Sequence, residues 1–421
     1  MFAVAAIWNM WRLSSPSMWQ DEIATVENTR YGLSGVLSVV QDRDAVMAAY
    51  YVAIDAWTAV FGTSDASFRF PSVLAMAVAA SASFLLSRKY VGTLGSSVVA
   101  VLVTAAPSMT RYAQEARVYA VVVACVVVAT LLLHEAVERA DRRWWTAYSA
   151  VLVLVALGHF LALMILAAHG AFALGRHVSL RRMLVAWVPA CGVALAVAAA
   201  GITQSSAIDW IARGGINRLY GTAYVLAGGP IAAVVLGLSV AAFALWVARD
   251  GHRVRSMSWL VVMLALPVTL WLVGHLTPLF VTRYVLWVVP FAALAAVIVW
   301  SRVGTTLVLL TALVVTVSWI PGQLDTRASD GHGTAYRDAV EYIAARAQQG
   351  DVVTSEYGRA LDAVDRYSDG LKQGRCIESA TGTTWELVTG RDLETARRCF
   401  PGRTIDASYI FGGVLVNQFG Q

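Results

Sequence analysis

The chain has 421 residues, of which 58% are hydrophobic and 14% charged, with a mean hydropathy of +0.62. A soluble domain carries roughly 25% charged residues, so this composition excludes a water-soluble body for most of the chain. The net charge of +5 is spread over short gaps between apolar runs, where Lys and Arg act as topology signals; that distribution argues against a nucleic-acid partner.

Apolar segments near the roughly 20 residues that a bilayer core requires fall at 1–13, 70–87, 93–109, 118–137, 146–158, 160–174, 184–202, 221–248, 259–276, 284–300 and 304–320. About eleven transmembrane helices are therefore expected. The first is short: Met1–Leu13 covers only about 20 Å at 1.5 Å per residue, so either Ser14–Ser17 extend it or the natural start lies upstream. The fifth and sixth segments are separated only by Gly158 and His159. With the N-terminus inside, Arg88-Lys89, Arg139, Arg142, Arg143, Arg176, Arg181, Arg182, Arg249, Arg253, Arg255 and Arg302 all fall in short inner loops, as the positive-inside rule demands. Fusing 146–174 into a single span would break that bias.

This topology sends a first loop, residues 14–69, and the tail from Pro321 to the C-terminus to the outer side of a cell membrane. Residues 1–320 then form the membrane module and 321–421 an extracytoplasmic domain. Residues 46–61 read as an interfacial helix of mixed polarity. In the tail, Tyr336–Gln349 has helical periodicity, Gly350-Asp351 breaks it, and Val352-Val353-Thr354 reads as a buried strand, so a small α/β domain is expected. Cys125 and Cys191 sit inside spans as packing residues, whereas Cys376 and Cys399 share the tail, where an oxidising compartment permits a disulfide. No CxxC, HExxH or phosphate-cradling glycine loop occurs. Most tryptophans, Trp19 among them, lie at segment ends as an aromatic belt would place them. His159 and His169 read as packing or interfacial residues, and Gly228-Gly229-Pro230 as a kink.

The informative residues are charges beside the membrane. Asp21, Glu22 and Asp44 lie in the first loop, and Arg69 opens the second span. Arg111, Glu115 and Arg117 follow the third span, and Arg283 precedes the tenth. On the expected topology all lie at one face. Guanidinium groups bind phosphate bidentately and do not lose their proton, and a neighbouring carboxylate can take a proton from a hydroxyl. Singly, each charge is a boundary residue; as a set they suggest a site.

In chain order, Trp19-Gln-Asp-Glu22, Asp44-x-x-Met-x-x-Tyr-Tyr51, Phe61-Gly62, Arg69-Phe-Pro-Ser-Val-Leu74 and Arg111-Tyr-Ala-Gln-Glu-Ala-Arg117 resemble the integral-membrane glycosyltransferases of the GT-C class. The closest group is the protein O-mannosyltransferase and aminoarabinose-transferase type, in its actinobacterial mannosyltransferase-like branch. One departure is Val46-Met-Ala-Ala49, where many relatives carry His-Pro-Pro-Leu. The resemblance implies transfer of a sugar, mannose first, from a polyprenyl-phosphate donor at the membrane lipid to a hydroxyl of a glycan, protein or secreted metabolite, with inversion. It further implies Asp21 and Glu22 as catalytic residues, and Asp44, Tyr50, Arg69, Arg111, Gln114, Glu115, Arg117, Tyr119, Arg283 and Tyr284 as substrate-binding. Some relatives use a divalent cation, Mg²⁺ or Mn²⁺, and the metal here is unassigned. An arabinosyltransferase shares the catalytic frame. A transporter would carry its ionisable residues at mid-membrane and show repeated halves, neither of which is evident, and a scaffold or sensor would not need the Asp21 and Arg111–Arg117 constellation.

Overall fold

The computed structural model describes residues 1–42, 44–204, 211, 215–249, 257–390, 393 and 396–420; Arg253 and Arg255 lie outside them. The chain begins with α1 (Phe2–Met10), followed by three helices of the first loop, α2 (Gln20–Thr29), α3 (Gly32–Asp42) and α4 (Ala48–Phe61). The expected interfacial helix over 46–61 is a short 3-10 turn running into α4.

The membrane body starts with α5 (Asp65–Ser87), α6 (Thr93–Ala105), α7 (Pro107–Ala113), α8 (Tyr119–Arg139), α9 (Arg142–His159), α10 (Leu166–Gly175) and α11 (Leu180–Thr203). It continues with α12 (Ile216–Ala227), α13 (Pro230–Arg249), α14 (Ser258–Val273), α15 (Val289–Val303), α16 (Thr305–Ser318) and α17 (Ile320–Thr326). Among the described residues, seven helical runs are long and apolar enough to cross a membrane, or eight if α6 and α7, bent by 60°, count as one. Length and composition therefore do not reach the expected eleven, because α1 and α14, with 9 and 16 residues, are shorter than a spanning helix.

The run Arg142–Gly175 has 34 residues and would be about 51 Å long if straight, far beyond a hydrocarbon core of about 30 Å. Its contacts show a reversal. His159 lies beside Tyr119, at the start of α8, with ring centroids 6.5 Å apart. Phe172 packs on His134, much further along the same helix, at 4.0 Å. The chain thus runs along α8 in one direction over α9 and back over α10. The turn is made at His159, whose backbone is extended (φ −161°, ψ 99°). Gly158 permits the close approach before it, since a Cβ there would stand 2.9 Å from Val122 Cγ2. The two breaks in α6–α7 and α12–α13 are local in origin. Pro107 lacks the N–H that would continue α6, and Gly228 caps α12 at φ 78°.

A chain of hydrogen bonds ties the middle of this body together. Trp187 donates to Tyr148 Oη (2.9 Å), Tyr148 pairs with His169 (2.9 Å), and His169 with Thr130 (3.1 Å). His134 bonds the Thr130 carbonyl (2.8 Å) and Tyr90 Oη (2.6 Å), which also accepts from Trp259 (3.1 Å). Both ring nitrogens of each histidine are satisfied, so His169 is a packing residue, in keeping with the sequence. Near the end of α8 remote from Tyr119, Lys89 binds Glu135 and Glu138, each at 2.7 Å, and Arg302 stacks over Trp246 at 4.1 Å.

The tail folds as α18 (Tyr336–Ala344), β1 (Val352–Ser355), α19 (Gly358–Tyr367), β2 (Gln373–Arg375), β3 (Thr384–Thr389), β4 (Ala407–Phe411) and β5 (Val414–Phe419). The sheet order is β2-β1-β3-β5-β4, with β1 parallel to both neighbours and the rest antiparallel. β1, Val352-Val353-Thr354-Ser355, is buried at every position, as a parallel strand covered on both faces is. Cys376 and Cys399 form a disulfide. The domain is docked on the first loop through Asp65, which takes Arg366 on Oδ1 (2.6 Å) and both Arg337 (2.5 Å) and Tyr367 Oη (3.2 Å) on Oδ2. Tyr367 Oη in turn accepts from the Met18 backbone (3.0 Å), and Arg337 donates to the Ser14 carbonyl (2.9 Å).

Candidate active site

Trp19 caps α2, and the first turn of that helix carries Asp21 and Glu22. Successive helical residues are rotated by about 100°, so the two carboxylates point apart. Glu22 turns into the protein and is fully buried. Arg69 Nε and Nη2 bind its two oxygens at 2.8 Å each, and the Ala116 N–H donates at 2.8 Å. Arg69 is equally buried and spends its remaining donors on the Leu13, Pro16 and Ser17 carbonyls at 2.8, 2.9 and 3.2 Å. Burial alone would raise the Glu22 carboxyl, but the Arg69 guanidinium overrides it and holds Glu22 far below the usual carboxylate range. Of the residues expected in the site, Glu22 as a catalytic group and Arg69 as a substrate ligand, the structure places both in a buried pair with no accessible surface.

Asp21 turns outward, 22% exposed, and faces Arg283 at 3.4 Å. Arg283 stands over the rings of Trp19, Tyr119 and Tyr284 at 5.7, 5.6 and 5.9 Å. His159 packs on Tyr284 at 4.3 Å, so the residue that turns the α9–α10 hairpin also lines this region. Arg111 binds Glu115 at 2.9 Å, donates to the His332 carbonyl at 3.3 Å, and lies over Trp19 at 5.3 Å. Arg117 donates to Thr25 Oγ1 at 3.4 Å and Tyr51 Oη at 3.3 Å, and Tyr51 donates to Asp44 at 2.5 Å. The structure therefore brings Asp21, Asp44, Arg111, Glu115, Arg117, Tyr119, Arg283 and Tyr284 to one region from four separate stretches of chain. Gln114 does not join them: its amide is buried and holds the Asn9 and Trp11 carbonyls at 2.8 and 2.9 Å.

This region also gathers shielded polar atoms that, among the described residues, have no partner: Trp19 Nε1, Tyr50 Oη, Glu115 Oε1, Arg117 Nε and His332 Nε2. Buried polar atoms are nearly always paired, so such a concentration marks a place where a polar ligand belongs. Burial pushes the Glu115 carboxyl up to about 7, with Glu22 and Asp21 adding to the rise and Arg111 opposing it. His332, buried against Arg111 and Arg69, is pushed well below its ordinary value despite Glu22 at 3.3 Å. His332 was not legible as a site residue, being 310 positions from Glu22 with no motif around it. Asp21 and Glu22 do not suit Mg²⁺ or Mn²⁺ as a pair, since both Glu22 oxygens are taken by Arg69 and Ala116. The one cluster of three donor groups among the described residues, Glu356 with Cys376 and Cys399, is spoken for by the disulfide.

A bundle of apolar helices thus carries a helical first loop, a polar site at one end and a small α/β domain docked on that loop. A family model described as dolichyl-phosphate-mannose-protein mannosyltransferase matches residues 44–202. The fold is similar to ArnT from Cupriavidus metallidurans bound to undecaprenyl phosphate, at 10% identity and TM-score 0.62 over 99% of this chain and 96% of that one. The apo form of the same protein gives 12% identity and TM-score 0.60 over the same shares. The Archaeoglobus fulgidus oligosaccharyltransferase in complex with Zn and sulfate gives 13% identity and TM-score 0.48 over 80% of this chain and 58% of that one. No curated protein matches the chain.

Proposed function

We propose that the protein is a multi-pass glycosyltransferase of the cell membrane that moves a sugar, mannose first, from a polyprenyl-phosphate donor to a hydroxyl at the outer face. The observation that carries this is the meeting of Asp21 and Arg283 at 3.4 Å amid partnerless buried donors and acceptors. A carboxylate next to a fixed guanidinium is the equipment for deprotonating an alcohol while neutralising a leaving phosphate. The family model over 44–202 supports mannose as the first sugar to test, and the basic loops remote from the site support its outward orientation.

In this reading the acceptor hydroxyl gives its proton to Asp21, and its oxygen attacks the anomeric carbon. The bond from that carbon to the phosphate oxygen breaks, and the electron pair leaves on the lipid phosphate, beside Arg283, with Arg111 and Arg117 flanking. A single displacement inverts the anomeric carbon. Glu22 and Arg69 hold the Asp21 turn rather than touch substrate. No step is assigned to a metal. The acceptor is a glycan, protein or secreted metabolite that offers a hydroxyl at that face.

Membranes containing the chain should transfer labelled mannose from a polyprenyl-phosphate donor, and Asp21→Asn should abolish transfer with abundance unchanged. Full transfer by Asp21→Asn would remove Asp21 from the chemistry.

A further inference from the structure

We infer that Trp19 is a phosphate ligand of this site, its indole N–H donating to a phosphoryl oxygen of the donor beside the guanidinium groups of Arg111 and Arg283. The inference rests on the lipid-phosphate reading above and deepens it.

At a membrane interface an indole usually sits with its N–H in the wet headgroup layer. Trp19 does not. Its Nε1 is shielded from solvent and has no partner among the described residues, while both guanidiniums stand over its ring, at 5.3 and 5.7 Å from the centroid. A cation over an indole face is drawn to the ring quadrupole, so the ring is a shelf that holds two mutually repelling cations near each other. Its backbone is fixed as well, with the Trp19 N–H directed at Glu22 Oε2 at 3.4 Å.

An indole N–H is a donor only, so the missing partner is an acceptor. None of the neighbouring carboxylates accepts from the indole: Glu22 is held by Arg69, Asp21 faces Arg283 at 3.4 Å, and Glu115 binds Arg111 through Oε2 at 2.9 Å. What remains is an incoming anion able to accept several hydrogen bonds at once, facing two positive charges. A phosphate meets that description. A neutral sugar or a cation does not.

The test compares Trp19→Phe, which keeps the aromatic shelf and removes the N–H, with Trp19→Leu, which removes both, and Trp19→His, which restores a donor. The probes are a polyprenyl monophosphate, the matching polyprenol and inorganic phosphate, titrated onto the purified full chain in detergent, with thermal unfolding as the check on folding. Wild type should bind the lipid phosphate more tightly than the alcohol. Trp19→Phe should weaken that binding about tenfold, the scale of one hydrogen bond to a charged group, Trp19→Leu should weaken it further, and Trp19→His should recover part. In the transfer assay Trp19→Phe should raise KM for the donor and leave kcat nearly unchanged. Lipid phosphate bound equally by wild type and Trp19→Phe would overturn the inference while leaving the proposed function standing. Wild type that prefers polyprenol, or that binds neither lipid, would overturn the donor reading itself. Inorganic phosphate competing as strongly as the lipid phosphate would make a free anion the ligand and refute the lipid source.

Discussion

Replacing Glu22 separates a catalytic from an architectural role for the second of the adjacent carboxylates. Glu22→Gln keeps the shape and removes the charge, leaving Arg69 buried without a counter-ion. Removing one partner of a fully buried ion pair costs about 3–5 kcal/mol. Two features of the structure put this case toward the upper part of that range. The Ala116 N–H, which donates to Oε1 at 2.8 Å, then competes with Arg69 for the single acceptor oxygen of an amide, and both the guanidinium and the glutamate are fully inaccessible. An apolar pair is no remedy: a double replacement by Leu and Met would orphan the Leu13, Pro16 and Ser17 carbonyls that Arg69 satisfies. Glu22→Gln should therefore lower folded abundance and the unfolding temperature of the detergent-solubilised protein, measured by size exclusion and thermal unfolding. Asp21→Asn, at a partly exposed site, should leave both near wild type and lose transfer. Should Glu22→Gln unfold at the wild-type temperature yet fail to transfer sugar, Glu22 acts on substrate and the architectural reading is refuted.

The elevated Glu115 carboxyl gives a pH signature. Its rise from 4.5 to about 7 means that the folded state holds a proton the unfolded chain has released, so the associated stability is present below pH 4.5 and is lost as pH climbs through 7. The unfolding temperature of Glu115→Gln relative to wild type should rise between pH 5 and pH 8, by an amount equivalent to about 3 kcal/mol; a flat difference would contradict it. Asp65→Asn should loosen the tail from the first loop, at a cost of about 1–3 kcal/mol for the unmet partners, seen as faster proteolysis of residues 336–420 and reduced transfer together. Cys376→Ser should destabilise the tail by roughly 3 kcal/mol, read as a lower unfolding temperature that reductant reproduces in wild type and does not change in the variant.

The polar end of the bundle was legible because charges at the ends of apolar segments are few and fall into one layer once the segments are ordered. Asp21, Arg111, Arg117 and Arg283 meet for that reason. The roles of neighbours were less legible. Nothing in Asp-Glu says which carboxylate faces the core, since that depends on Arg69, 47 residues away. Gln114, inside the Arg111–Arg117 motif, is used to hold the end of α1, and motif membership does not separate a ligand from a brace. His332 and the Asp65 clamp depend on how the tail docks, which no local pattern encodes. The α9–α10 reversal was visible as Gly158-His159, yet hydropathy alone cannot distinguish a tight hairpin from a single long helix, because a turn without a polar loop leaves the apolar run unbroken.

The division of labour between Asp21 and Glu22 follows from their place in the helix. The first turn of α2 has unpaired backbone N–H groups that favour negative charge, so both carboxylates are tolerated there. The rotation between them forces one inward and one outward. The inward residue must carry the longer side chain to span the distance to Arg69 and still reach the Ala116 N–H, and that residue is Glu22. The outward residue gains from a shorter, stiffer stem, which loses less freedom when held 3.4 Å from Arg283. Combining Asp21→Glu with Glu22→Asp would leave composition and charge unchanged but fail on both sides: too short a reach inward, and too loose an acid outward.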